Sequence, residues 1–387
     1  MSTAAHRPVL QPSDILKRTH AVGNYYGFTP LSQLALANRG KGARGPYPES
    51  INLDALDPSA REVVSLLKQV RDAGITPSAL QPLFLWHTNI TAGRPAPKQV
   101  IIQFHVLGVE HAIADAVLIR TVRSLLGDLT KSEPHLKLNS MGDRETRSRF
   151  ARELTQFFRK HGPVLPDTCV ERARQGEVFE AAELLACMKE ESDGMPSPTD
   201  HLSEASRKHF EAVLEYLETT DTPYELAPTL LSRGASWTET CFEIKTADAH
   251  AWGSRYNELV RPFFKGTIHS VGAVIRVESE GREPVVPVKE RGTPRFVFVH
   301  IGDEAKRESM KMADDFRKAR IPLTQAMGVA SLSEQMRIAE TANPQYLLIM
   351  GRKEALERNV ILRERSTHTE IFLPLDGLVD RLKLVGA

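Results

Sequence analysis

Cysteine is scarce: three in 387 residues, at positions 169, 187 and 241. They are widely separated, form no CxxC pair and share no spacing with histidines that suits a metal ion. This excludes a disulfide scaffold and a zinc ribbon as organising principles, and the expectation is a reducing compartment, the cytoplasm. Excess charge of one sign is missing too. Fifty Lys and Arg stand against 49 Asp and Glu, a formal net charge of +1. No global positive field announces nucleic acid, so any basic patch must be local. No apolar run is long enough to span a bilayer, and the opening MSTAAHRPVLQPSD has no apolar signal core, so no membrane association is expected.

What is present is ordinary for a soluble globular chain, 41% hydrophobic and 26% charged, at a length that suits two or three domains. The pattern divides it. Beyond Gly142 the chain turns helical: RETRSRFARELTQFFRKH, VFEAAELLACMKEE and SEASRKHFEAVLEYLETT all space their apolar residues at helical period. Strand-like sequence resumes with YELAPTLLS. EGREPVVPVKERGTP, rich in Pro, Gly and charge, reads as a linker. After it strand and helix alternate: RFVFVHI, DEAKRESMKMADDFRKAR, PLTQAM, SLSEQMRIAETA, YLLIMG, a hairpin of NVILRER and TEIFLPL, and a closing helix DGLVDRLKLV. The expected fold class is α/β in the broad sense (α+β), ending in a compact α/β module with a mixed sheet.

Two stretches invite a functional reading. QFHVLGVE, residues 103–110, is a strand carrying polar residues. Those residues either line a small-molecule pocket or sit on the open side of a half-buried antiparallel strand. SRGASWTETCFEI, residues 232–244, places Arg233 in a loop before an alternating strand. An arginine there either clamps a phosphate or carboxylate or is a surface charge.

Several stretches resemble one family in order, the histidyl-tRNA synthetases. DILKRTHAVGNYYGFTPL resembles the first class II motif, and QFHVLGVE with DAVLI the strand and helix after the second. HLKLNSMGDRETRSRFARELTQFFRKH resembles the strand and helix that open the family's insertion. SRGASWTETCFE is similar to the Arg-Gly-Leu-Asp-Tyr-Tyr loop and its strand, and GSRYNELV to Gly-Gly-Arg-Tyr-Asp-x-Leu-Val. LSEQMRIAETANPQYLLIMGRKEALERNVILRER resembles the anticodon-binding domain. The resemblance implies an antiparallel class II catalytic sheet from residues 1–140 and 222–285, a helical insertion at 141–221, a linker at 286–293 and an anticodon-binding-like domain at 294–387. It implies Gln103, Glu110, Arg255 and Tyr256 as substrate-binding positions and Arg233 as the catalytic arginine. It also implies a homodimer built on the first motif, where Tyr25, Tyr26 and Phe28 offer apolar area to a twofold contact or to the chain's own core.

The same resemblance exposes losses. Adenylation develops charge on phosphate oxygens, which positioned arginines and magnesium stabilise. Ala92 and Arg94 stand where the second motif has its clamping arginine and glutamate, and Val100 and Ile102 replace its basic residues. In the third motif Arg276 takes the place of a glycine and Ser279 that of the arginine. Asp57 replaces the first arginine of an early Arg-Pro-Glu-x-Thr stretch, and Ala235, Ser236 and Trp237 replace most of Leu-Asp-Tyr-Tyr. Each lost donor costs roughly 10²–10³ in rate, so the expectation is a pseudoenzyme that has lost aminoacylation and keeps a tRNA, RNA or histidine-binding role. Its RNA-binding candidates are Arg352, Lys353, Arg358, Arg363 and Arg365, although acidic residues interleave with them. No cofactor or metal is expected on that reading; ATP and magnesium belong to the alternative, an active histidine–tRNA ligase. A histidine-sensing regulatory subunit of a biosynthetic enzyme is the third reading.

Overall fold

The computed structural model describes residues 10–37, 46–91, 99–188, 194–231, 236–279 and 294–384. Arg233, Ala92, Arg94, Ala235 and the expected linker at 286–293 lie outside the described residues.

The first module opens with α1 (Pro12–Tyr25), β1 (Thr29–Pro30), α2 (Leu31–Ala37) and α3 (Pro58–Asp72). Asp57 starts α3. Its carboxylate accepts from the backbone N–H groups of Ser59 and Ala60, and Pro58 occupies the first helical turn where no amide partner is needed. The hairpin β2 (Leu83–Thr91) and β3 (Gln99–Leu107) follows, then α4 (Ile113–Leu129) and β4 (His135–Ser140). Four helices come next: α5 (Arg144–His161), α6 (Asp167–Arg174), α7 (Val178–Ala186) and α8 (Glu204–Thr219). Asp143 caps α5 by accepting from Thr146 N–H at 2.8 Å, and Arg159, Lys160 and His161 face the negative end of its dipole. The chain then completes the sheet with β5 (Glu225–Leu226), β6 (Thr238–Lys245), β7 (Ala249–Arg255), a short α9 (Asn257–Val260) and β8 (Ser270–Glu278).

The strands lie in the order β1-β2-β3-β8-β7-β6-β4-β5. The edge pairs β1·β2 and β4·β5 are parallel, and every other pairing is antiparallel. The period of two divides β3 cleanly. Val100, Ile102, Phe104 and Val106 face the core beneath α4, whereas Leu107 joins the apolar cluster of the opposite face. Helix α4 is buried over most of its length, because the sheet lies on one side of it and α1 and α8 pack around the rest.

The second module consists of β9 (Phe296–His300), α10 (Asp303–Lys318), β10 (Leu323–Gln325), α11 (Leu332–Ala342), β11 (Tyr346–Met350), α12 (Arg352–Leu356), β12 (Asn359–Glu364), β13 (Glu370–Pro374) and α13 (Leu378–Leu384). Its sheet runs β10-β9-β11-β12-β13, parallel across the first three strands and antiparallel across the last three. The alternation read from the sequence is present strand for strand.

Three expectations are corrected. Of YELAPTLLS only Glu225–Leu226 is strand; two prolines nearby and a turn at 227–230 leave no ladder to extend. The helix in VFEAAELLACMKEE stops at Ala186. Tyr26 and Phe28 are 0% and 1% exposed inside the chain's own core, so these two do not offer apolar area to a twofold contact; Tyr25 is half-buried. The second module is firmly attached to the first. Met310, Ala313 and Met327 belong to the first module's core, and Asp314 of α10 is a polar hub beside them. It accepts from the Tyr26 hydroxyl, from Ser124 and from the Arg120 guanidinium. Arg120 also donates to the Thr220 carbonyl at 2.7 Å and Thr222 Oγ1 at 2.8 Å, and Arg317 holds Asp128 at 2.7 Å. Removing one member of such a network leaves a buried charge uncompensated. Asp314→Asn should lower stability by roughly 2–4 kcal/mol, while Asp315→Asn, at an exposed neighbour, should stay within about 0.5 kcal/mol. Urea denaturation midpoints check this, and equal midpoints for both variants refute it.

Candidate functional site

On the sheet face opposite α4, one hydrogen-bonded chain crosses β3. Gln103 Nε2 donates to Glu62 Oε2 at 2.6 Å, Gln103 Oε1 lies 3.0 Å from His105 Nε2, and His105 Nδ1 lies 2.9 Å from the Tyr256 hydroxyl. Gln103, His105 and Tyr256 are all 0% exposed. The proton order follows from the chemistry. Gln103 Oε1 can only accept, so His105 carries its proton on Nε2, and Nδ1 accepts from Tyr256. Burial, with His87 adding to it, pushes the His105 pKa down to about 3, which keeps the ring neutral. Burial also raises the Glu62 carboxyl above its ordinary range, against the pull of Arg276, and keeps the Tyr256 phenol protonated. Gly272 makes room for the chain: a Cβ there would stand 2.5 Å from His105 Nδ1 and 2.8 Å from the Tyr256 ring. The half-buried-strand reading of residues 103–110 is therefore corrected, since β3 is covered on both faces.

The cover over this chain is aromatic. Trp237 is 1% exposed, meets Trp252 edge-to-face at 4.6 Å and lies 6.0 Å from the Tyr256 ring. Its indole N–H donates to Asp57 Oδ2 at 3.1 Å. Asp57 thus caps α3 with one oxygen and holds Trp237 with the other. Sequence reading marked Asp57 and Trp237 separately as departures; the structure joins them as a pair.

The other marked positions fall elsewhere. Arg255 is buried, and all three guanidinium nitrogens are engaged: with Asp115 at 2.6 and 3.0 Å, the Val109 carbonyl at 3.1 Å and the His111 carbonyl at 3.0 Å. Burial pushes the Asp115 carboxyl up, but Arg255 and His209 more than offset it and hold its pKa at about 2. This makes Arg255 a brace between β7 and the start of α4. Glu110 is at the surface, 3.9 Å from His269. Val100 and Ile102 are 0% exposed in the core beneath α4, where a charged side chain has no room. Among the described residues, no group of three or more His, Cys, Asp or Glu is placed to hold a metal ion. No described helix is long and apolar enough to cross a membrane.

The five basic candidates of the second module divide into two groups. Arg352, Lys353 and Arg358 lie at one end of the sheet, paired with Glu304, Glu357 and Asp376. Arg363 and Arg365 lie at the other, because β12 runs antiparallel to β11 and Tyr346 faces Glu364. Arg363 and Arg365 border a groove of about 710 Å³ with Met336, Gln345, Leu347 and His368. Sequence reading missed Phe372, 66% exposed, which pairs in register with Ile361 on the strand that carries Arg363. Its signal, an aromatic at an edge strand's outward position, needed the sheet order to be visible.

Comparison with known proteins gives consistent results. The anticodon binding domain family matches residues 285–384. The histidine–tRNA ligase of Desulfatibacillum aliphaticivorans is 27% identical over 287 residues, covering 73% of this chain and 68% of that protein. That of Geobacillus sp. (strain WCH70) is 28% identical over 301 residues, covering 73% and 70%. Among solved structures, apo histidyl-tRNA synthetase of S. aureus aligns over 98% of this chain and 99% of its own, with 20% identity and a TM-score of 0.46.

A buried neutral histidine ties stability to pH. The unfolded side chain takes a proton near pH 6.5, whereas folded His105 resists until about 3. Its stabilising contribution is therefore complete above pH 6.5 and is lost as pH falls toward 3. His105→Phe should lower stability at pH 7, yet flatten the loss between pH 6 and 4 by up to about 1.4 kcal/mol per pH unit. Parallel slopes for the two proteins in denaturant titrations at stepped pH would count against a neutral His105.

Proposed function

The chain belongs to the histidyl-tRNA synthetase family, and from that premise we propose that it no longer activates histidine and serves as a tRNA-binding protein through its second module. The observation that carries the first half is the Asp57–Trp237 pair closed over the buried Glu62–Gln103–His105–Tyr256 chain. In the family's pattern an arginine stands at the position of Asp57. Here the position is committed to a helix cap and an indole, both of which need an acceptor oxygen and neither of which suits a guanidinium. Val100 and Ile102, turned into the core, support the same reading, because no phosphate clamp can be restored there without burying an unpaired charge. The buried chain positions Tyr256 and Gln103 against each other, and every polar atom that this uses is withdrawn from a substrate.

The second half rests on the open face of the module. Phe372 is a stacking platform for an unpaired base, and Arg363 and Arg365 supply phosphate contacts at the adjoining groove. Arg363 is also within 3.5 Å of Glu370, as Arg352, Lys353 and Arg358 are near carboxylates of their own; those three contribute little because they lie at the far end of the sheet, away from the groove.

Two measurements test the two halves. Histidine-dependent ATP–pyrophosphate exchange should not rise above background; turnover in the ordinary range of 1–10³ s⁻¹ would refute the loss of activation. In polarisation titrations with histidine tRNA, Arg363→Glu with Arg365→Glu should weaken binding at least roughly tenfold and lower the salt slope by about 1–2, and Phe372→Ala should cost about 1–3 kcal/mol. Charge reversal at Arg352 and Lys353 should change little. If that pair weakens binding as much as Arg363 and Arg365 do, the open face is not the contact surface.

A further inference from the structure

The two sheets expose one edge strand each toward a shared cavity: β1 of the first module and β10 of the second. The cavity holds about 320 Å³, within the range of small-ligand pockets. Its walls are largely apolar, from Leu83, Phe84, Met327 and Ile338. The junction is close-packed around it. A Cβ at Gly328 would stand 2.7 Å from Val109 and 2.8 Å from Phe84, and one at Gly27 would stand 3.0 Å from the Gln325 carbonyl. The cavity is therefore a shaped space between two seated modules.

Gln325, the last residue of β10, lines it. The residue is 4% exposed, and both the nitrogen and the oxygen of its carboxamide are buried without a hydrogen-bonding partner among the described residues. Leaving both ends of a buried amide unpaired is costly, and interiors rarely tolerate it without a reason. The terminal torsion of glutamine is soft, so the amide can turn toward a ring that enters the cavity. A carboxamide offers one donor and one acceptor side by side, the pattern with which glutamine pairs two-fold with the edge of adenine. The charged groups at the cavity, Glu334 and Arg337, are bonded to each other at 3.0 Å, which leaves no spare cation for a phosphate.

We propose that the cavity between the modules is a binding site for a neutral planar heterocycle with an adjacent donor and acceptor, of the nucleobase class, held in two hydrogen bonds by Gln325 between the apolar walls. The site lies apart from the buried chain around His105 and does not depend on the tRNA reading. Because its walls come from both modules, an occupant bridges them and should raise the melting temperature of the full chain.

The test uses the full-length protein with adenine, adenosine, AMP and unsubstituted purine as probes, read by calorimetry and thermal shift. Adenine and adenosine should bind saturably and raise the melting temperature. AMP should bind no tighter than adenosine. Purine lacks the exocyclic amine, so it should bind roughly tenfold more weakly, the loss of one hydrogen bond. Gln325→Leu should melt higher than the parent without ligand, because the unpaired amide is gone, and should lose adenine binding. Ile338→Trp, which fills the cavity from its wall and leaves Gln325 in place, should lose it too. No saturable binding of adenine up to 10 mM (a concentration about tenfold above a weak millimolar site), or undiminished binding in both variants, overturns the proposal.

Discussion

The ion pair of Arg255 and Asp115 is the constraint on which the first module depends. Both side chains are 1% exposed, so neither charge is tolerable without the other. The pair joins the last residue of β7 to the first turn of α4 and, through the Val109 and His111 carbonyls, fixes the turn between β3 and α4. With that turn set, α4 lies squarely over Val100, Ile102 and Phe104, and the apolar core beneath it closes. With the end of β7 set, Tyr256 follows at once in the position where His105 can receive its hydroxyl proton. One buried contact thus places the core of one sheet face and the polar chain of the other.

The resemblance marked Arg255 for the substrate, and the structure makes it a brace. An arginine in a motif looks the same in sequence whether its donors are free or used, because its partners, Asp115 and two carbonyls, are far away along the chain. The legible parts were those with local causes. The second module's alternation of strand and helix follows from apolar period and from breakers, and all five of its strands were readable. Helices α5 and α8 were readable for the same reason. The short α6 was not singled out, since eight residues give too little period to separate from a loop. Tyr26 and Phe28 could be assigned to core or to interface only once α10 and β3 were seen to cover them.

A carboxylate at position 57 leaves no hole in the packing. Replacing an arginine by Asp57 would open a cavity and orphan its neighbours if nothing else changed. Here Trp237, 180 residues further along the chain, supplies a ring that packs against Trp252 and an indole N–H that donates to the Asp57 carboxylate. Asp57 and Trp237 are in direct contact, so substitutions at the two should be non-additive. Packing on this face of the sheet is complete around the Asp57–Trp237 contact.

The buried chain from Tyr256 to Glu62 also has a direction. Each member passes its proton toward the same end, and successive bonds of one sense polarise one another. Glu62 is the only one of the four that water partly reaches. An amide relays no proton, so the hydrogens of Gln103, His105 and Tyr256, all 0% exposed, exchange with solvent only when this face of the sheet opens. Retention of the isotope on the Tyr256 hydroxyl is thus an internal clock for how often that happens.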